Sequence, residues 1–212
     1  MSPTAETEIV ETLGRIRVLP VMSVPDADGA EAACRALLAG GISCVEITFR
    51  TDAAAEAIRR VSAIDGLLVG AGTVLSPEQA EAAADAGARF AVAPGTSETV
   101  VEACRGLGLP FFPGVATPSE IERARALGCR TLKVFPAATL GGVAFLRAVS
   151  APYRDVRFIP TGGIDAANLA AHLAVPSVLA CGGSWLCEQG LIREGRFDEI
   201  ERLAREAVEA AA

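Results

Sequence analysis

The amino-acid sequence predicts a single-domain α/β fold, on three observations. Short apolar runs alternate with Ala-rich amphipathic stretches, the signature of strands separated by helices. Eight such pairs recur, roughly 20–25 residues apart. The chain of 212 residues is somewhat longer than one typical domain and short of two. Strands separated by helices pair in parallel through crossovers, and eight units in one domain predict a compact (β/α)8 TIM barrel. An open doubly wound sheet is the rival. It would show a Gly-x-Gly-x-x-Gly turn after the first strand, where this sequence has none.

The strands are expected at Arg17–Met22, Cys44–Thr48, Leu67–Gly70, Arg89–Val92, Phe111–Phe112, Thr131–Phe135, Arg157–Ile159 and Val178–Cys181. The helices between them are expected at Asp28–Ala39, Ala53–Ala63, Pro77–Ala86, Ser97–Leu107, Ser119–Leu127, Gly142–Ser150 and Ala166–Leu173. Ser76-Pro77-Glu78-Gln79 supplies an N-cap, a proline at the first helical position and an acidic first turn, and Gly87 ends that helix. Thr117-Pro118-Ser119-Glu120 and Gly128 bracket another in the same way. An extra helix over about 4–14 precedes the first strand, and an amphipathic helix over about 198–210 closes the chain. No linker or second domain is expected.

Composition removes several classes of function. Lys and Arg total 19 against 26 Asp and Glu, a net charge of −7, which disfavours nucleic acid and anionic membranes as partners. Met1–Ile9 is polar and acidic, unlike a signal peptide, and the longest uncharged stretch, Ala166–Cys187, is broken by polar residues. The six cysteines (34, 44, 104, 129, 181, 187) form no Cys-x-x-Cys pair and read as core residues of a reducing, cytoplasmic compartment. The one histidine, His172, reads as a packing or partly exposed residue, and a metal site built on several histidines is excluded. Eighteen of the nineteen basic residues are Arg, so Lys133, the only lysine, needs its own explanation.

In a barrel of this kind chemistry sits where strands end. Alternation puts Leu132 and Val134 against the helices, so Lys133 points into the barrel; on the second strand it puts Cys44, Glu46 and Thr48 inward. A carboxylate and an amine then meet inside. They can form a structural ion pair, since a buried charge is costly unless paired. Alternatively, a desolvated amine attacks a ketone and forms a Schiff base. Gly162-Gly163 and Gly182-Gly183-Ser184 read either as tight turns or, on the last two strands, as a phosphate cradle in which backbone N–H groups approach the anion and Ser184 adds a hydroxyl. Gly70-Ala71-Gly72-Thr73 says mainly that backbone comes near the site. Trp185 is expected to pack beneath the phosphate loop.

Six motifs in order carry a resemblance to a known family. They are Val45-Glu46-Ile47-Thr48-Phe49-Arg50-Thr51, Gly70-Ala71-Gly72-Thr73-Val74-Leu75, Pro113-Gly114-Val115-Ala116-Thr117-Pro118, Leu132-Lys133-Val134-Phe135-Pro136-Ala137, Pro160-Thr161-Gly162-Gly163-Ile164 and Gly182-Gly183-Ser184-Trp185-Leu186. Across about residues 16–190 the chain resembles the 2-keto-3-deoxy-6-phosphogluconate (KDPG) and 4-hydroxy-2-oxoglutarate (KHG) aldolases. The resemblance implies a class I aldolase on a (β/α)8 barrel, usually a homotrimer, acting on a keto-acid phosphosugar. It makes Lys133 the Schiff-base lysine and Glu46 the general acid/base. Arg50 and Thr73 hold the pyruvate-side carboxylate, and Pro94, Phe135 and Thr161 line the site. Gly162, Gly163, Gly182, Gly183 and Ser184 cradle the phosphate. No metal or other cofactor is implied. Relatives specialised for KHG or for the galactonate-derived epimer would share Lys133 and Glu46, and a non-catalytic phosphosugar-binding barrel would need only the phosphate loops.

Overall fold

The computed structural model describes residues 3–212. Its strands are β1 (Val18–Met22), β2 (Cys44–Thr48), β3 (Leu68–Gly72), β4 (Phe90–Val92), β5 (Phe111–Phe112), β6 (Gly114–Val115), β7 (Thr131–Val134), β8 (Arg157–Pro160) and β9 (Cys181–Gly183). Its helices are α1 (Pro3–Ile16), α2 (Asp28–Ala39), α3 (Ala54–Val61), α4 (Pro77–Asp85), α5 (Glu98–Gly106), α6 (Pro118–Ala126), α7 (Val143–Ser150), α8 (Leu169–Leu173), α9 (Gln189–Arg193) and α10 (Phe197–Ala211). Both expected terminal helices are present. None among the described residues is long and apolar enough to cross a membrane.

All strand pairs are parallel. They form a six-stranded sheet in the order β5-β4-β3-β2-β1-β9 and a three-stranded sheet β6-β7-β8. Pro113 separates β5 from β6, because a proline has no N–H for the ladder. Two single parallel bridges, Phe158 with Val178 and Thr161 with Gly182, link the β8 side to β9.

The capping signals act as read from the sequence. Ser76 accepts from Gln79 N at 3.3 Å and Pro77 opens α4. Thr117 and Glu120 form a reciprocal capping box at α6, with Glu120 also taking the Ala116 N–H at 2.7 Å. Fully buried Phe90 and Phe112 meet in the core with ring centroids 5.7 Å apart. A Cβ on Gly70 would lie 2.2 Å from the Phe90 ring, so the glycine gives that ring its room. Ile9 and Leu13 bury the inner face of α1.

Three sequence expectations are corrected. The last strand is Cys181–Gly183, not Val178–Cys181, so Gly182 and Gly183 belong to a strand and not to a turn. The run Val178–Ala180 is buried but makes only one bridge. Arg17 lies outside β1, with φ of 62°. Among the cysteines, Cys129 is only half-buried; the other five are in the core. Burial pushes the thiols of Cys34 and Cys181 up to about 12, which keeps them protonated and inert.

Candidate active site

Lys133 and Glu46 meet as strand alternation requires. Glu46 is in the middle of β2, opposite Val21 on one side and Gly70 on the other. Lys133 is in β7, opposite Gly114 and Ile159. The Lys133 Nζ donates to Glu46 Oε1 at 3.0 Å and lies 3.4 Å from Oε2. Their side chains are 5% and 1% exposed, so each charge depends on the other for its compensation. The ammonium also lies 5.9 Å from the centroid of the Phe135 ring, which is half-buried beside it.

One glycine leaves room for the Glu46 carboxylate and another for the Pro94 backbone. A Cβ on Gly72 would fall 2.2 Å from Glu46 Oε1, and one on Gly114 would fall 2.1 Å from the Pro94 carbonyl carbon. Pro94 therefore closes on the strand that flanks Lys133. Thr48 shares the inward face of β2; its hydroxyl is buried and has no hydrogen-bond partner among the described residues. The sequence placed Thr48 inward without attaching a role to it.

The expected carboxylate holders lie further out. Thr73 follows β3 and is half-buried, with φ of 57° in the left-handed region that a β-branched residue rarely adopts. Arg50 is exposed and lines a 530 Å³ groove together with Val21, Ser23, Thr51, Ser184 and Gln189. The structure thus brings Arg50 and Ser184, expected at opposite ends of a substrate, to the walls of one groove.

The Thr161-Gly162-Gly163 segment has the geometry of an anion cradle. Gly162 and Gly163 have φ of 95° and 74°. The carbonyl of Thr161 accepts from Ala137 N at 2.8 Å, and that of Gly162 from Ala138 N at 3.0 Å. The carbonyl of Gly163 accepts from the Asn168 side-chain amide at 2.9 Å. Among the described residues, the N–H groups of Gly163 and Ile164 donate to no protein acceptor, while that of Gly162 faces Gly182 across the Thr161–Gly182 bridge. Such a run of free N–H groups in left-handed backbone is a nest for a negatively charged group. Side chains here would collide: a Cβ on Gly163 would lie 2.4 Å from the Ala138 Cβ. The peptide bond Phe135–Pro136, at the end of β7, is cis.

Gly182 and Gly183 owe their identity to close packing instead. Their Cβ atoms would lie 2.2 Å from Thr161 Oγ1 and 1.7 Å from the Trp185 ring. Trp185 therefore packs on the strand end as expected, opening a 3₁₀ turn (Trp185–Cys187) that the sequence did not reveal, while Ser184 is exposed. His172 is 5% exposed: its Nδ1 lies 2.9 Å from the Asn168 carbonyl oxygen, and its Nε2 has no partner among the described residues. Sequence reading missed Asn168 altogether. The available signal was an asparagine five residues beyond a Gly-Gly pair at a strand end.

Known proteins resemble this one over nearly the whole chain. A protein-family model described as "KDPG and KHG aldolase" matches residues 9–203. The 2-dehydro-3-deoxy-phosphogluconate aldolase of Treponema pallidum is 47% identical over 202 residues, covering 95% of this chain and 96% of that one. The KHG/KDPG aldolase of Escherichia coli K12 is 43% identical over 195 residues, 92% of each chain. The crystal structure of the KDPG aldolase of Legionella pneumophila, with pyruvate captured as a covalent carbinolamine, superposes with a TM-score of 0.90 at 35% identity, covering 93% of this chain and 97% of that one. The chain belongs to the KDPG and KHG aldolase family.

Proposed function

We propose that the protein is a class I aldolase that cleaves KDPG to pyruvate and D-glyceraldehyde 3-phosphate through a Schiff base on Lys133. The observation that carries this reading is the contact between the only lysine of the chain and a buried carboxylate, 3.0 Å apart inside the fold.

The contact supplies the first step. Transfer of a proton from Lys133 to Glu46 leaves a neutral amine, whose lone pair attacks the C2 ketone. Protonated Glu46 returns its proton to the carbinolamine hydroxyl, which leaves as water to give an iminium and restores the carboxylate. Glu46, directly or through a water, then takes the proton of the C4 hydroxyl. The C3–C4 bond breaks, its electron pair moves to the iminium to give an enamine, and the aldehyde departs. Protonation of the enamine at C3 and hydrolysis release pyruvate and the free amine. Because the iminium is the electron sink, the reaction requires neither a metal nor an organic cofactor.

Arg50 and Thr73 bind the pyruvate-side carboxylate, the planar guanidinium offering two parallel donors. Pro94, Phe135 and Thr161 wall the reacting carbons. The Gly162-Gly163 loop, with the free Gly163 N–H and the Ser184 hydroxyl, receives the phosphate; Gly182 and Gly183 let Thr161 and Trp185 close up behind it. Cleavage of KHG by the same Lys133 and Glu46 is a second activity, favoured by the likeness to an enzyme named KHG/KDPG aldolase.

The fold that serves this chemistry is read as a closed eight-stranded barrel: β5 and β6 count as one strand interrupted at Pro113, and the bridges at Val178 and Gly182 close the ring. A homotrimer, expected from the resemblance, and a cytoplasmic location, suited to six free cysteines, complete the reading.

Pyruvate with borohydride tests the central step. One reduced adduct is expected by intact mass, mapping to the peptide that holds Lys133 and absent from Lys133→Ala. No adduct, or label only on the N-terminal amine, would favour a non-catalytic binding barrel.

A further inference from the structure

We propose that Asn168 is a positioning residue for the anion cradle, aiming the Ile164 N–H at the substrate's phosphate. The proposal rests on the reading of the Gly162-Gly163 loop as the phosphate site.

In a planar trans peptide the C=O and the following N–H point in opposite directions. Anchoring a carbonyl on one side therefore sends the next N–H to the other. Three such anchors follow in succession, and the last two send their N–H groups into the cradle. Holding Thr161 O with Ala137 N directs the Gly162 N–H toward Gly182, across the Thr161–Gly182 bridge. Holding Gly162 O with Ala138 N directs the Gly163 N–H. Holding Gly163 O with Asn168 Nδ2 directs the Ile164 N–H. The first two anchors are backbone groups of the segment after β7. The third is the only one made by a side chain.

Asn168 is itself fixed from three directions. Its Oδ1 accepts from Asp165 N at 3.2 Å, which sets the amide orientation, since Gly163 O can only accept and Asp165 N can only donate. Its backbone N–H donates to Asp165 Oδ1 at 3.2 Å, within a turn that also takes the Ala167 N–H at 3.0 Å. Its carbonyl accepts from His172 N at 3.3 Å and lies 2.9 Å from His172 Nδ1. Buried His172 thus holds Asn168, and Asn168 holds the loop. Two successive glycines leave several backbone conformations open, so the last peptide of the cradle takes its direction from this external anchor.

Two variants test this in the full chain. Asn168→Asp keeps the shape and the acceptor for Asp165 N but replaces the donor with a carboxylate that repels Gly163 O; Asn168→Ala removes both bonds without adding charge. In both, KM for KDPG and the Ki of inorganic phosphate as a competitive inhibitor should rise about tenfold, with kcat within about threefold of the parent. For KHG, which has no phosphate, kcat/KM should change less than about threefold. Urea midpoints identify any variant that is merely unfolded, and the other variant then decides. A parent-like phosphate Ki in a folded variant overturns the proposal. So does an equal loss of kcat on both substrates, which would make Asn168 a residue of the fold alone. A parent that neither prefers the phosphorylated substrate nor is inhibited by phosphate overturns the phosphate reading itself, and the proposal with it.

Discussion

At Gly72 the absence of a side chain has a direct chemical effect. Its backbone is ordinary extended strand, so alanine meets no conformational obstacle there, yet an added methyl would lie 2.2 Å from Glu46 Oε1 and 2.6 Å from its Cγ. The methyl must push the carboxylate off Lys133. We expect Gly72→Ala to lower kcat by about 10²-fold, within the range for losing general acid–base help. Overpacking should cost about 1–3 kcal/mol of stability as well. Steady-state kinetics beside a urea titration check both, and a parent-like kcat would remove Glu46 from the chemistry. At this scale the sequence was informative. Period-two alternation on two strands was enough to bring Lys133 and Glu46 together, and the Gly70–Thr73 motif correctly signalled a close backbone. It could not reveal that the residue approached is Glu46 itself, because that depends on the register of β2 against β3, in which Thr48 faces Gly72.

At the scale of elements, helix starts were the most legible features, because capping is local chemistry written in consecutive residues. Thr117 Oγ1 takes the Glu120 N–H at 3.3 Å while Glu120 returns a carboxylate to the Thr117 N–H at 2.9 Å. Thr117→Ala should therefore lower the unfolding free energy by about 1 kcal/mol, read as a shifted urea midpoint at unchanged slope. An unchanged midpoint would mean that the box adds nothing beyond what water supplies. The last strand was the least legible element. Val178–Ala180 has the apolar character of a strand and Gly182-Gly183 that of a turn, yet pairing runs through the glycines, where Leu19 and Pro20 of β1 lie opposite. Neighbours from elsewhere decide the matter: only glycine leaves room for Thr161 and the Trp185 ring. The break at Pro113 was hidden for the same reason, since two short strands and one interrupted strand read alike in a single sequence.

Across the whole molecule, Arg17 binds distant parts of the chain together. From a left-handed backbone position just before β1, its guanidinium donates to Ala211 O at 3.0 Å and to Leu173 O at 2.8 Å. The first start of the sheet, the end of α8 and the last turn of α10 are thereby joined, and a cation at a helix C-terminus suits the carbonyls left unpaired there. Arg17→Ala should lose about 2–3 kcal/mol of stability, a charged donor's two bonds discounted for partial exposure. Equilibrium unfolding measures it; a loss below about 0.5 kcal/mol, the level of an ordinary surface change, would show that the ends are held by packing alone. The overall αβ alternation was visible in the sequence, but this bolt was not. Arg17 looked like the first residue of a strand, and both its acceptors lie more than 150 residues away in the chain.

The single lysine has a practical consequence. Reductive methylation with carbon-13 formaldehyde would install an isotope label on one side-chain amine in the entire chain, and that amine sits against Glu46. Eighteen arginines carry every other side-chain positive charge apart from histidine and stay silent in that reaction. The composition thus gives the protein an intrinsic spectroscopic reporter, whose chemical shift would follow the charge of the buried amine as the solution is titrated, with no mutation needed to simplify the spectrum.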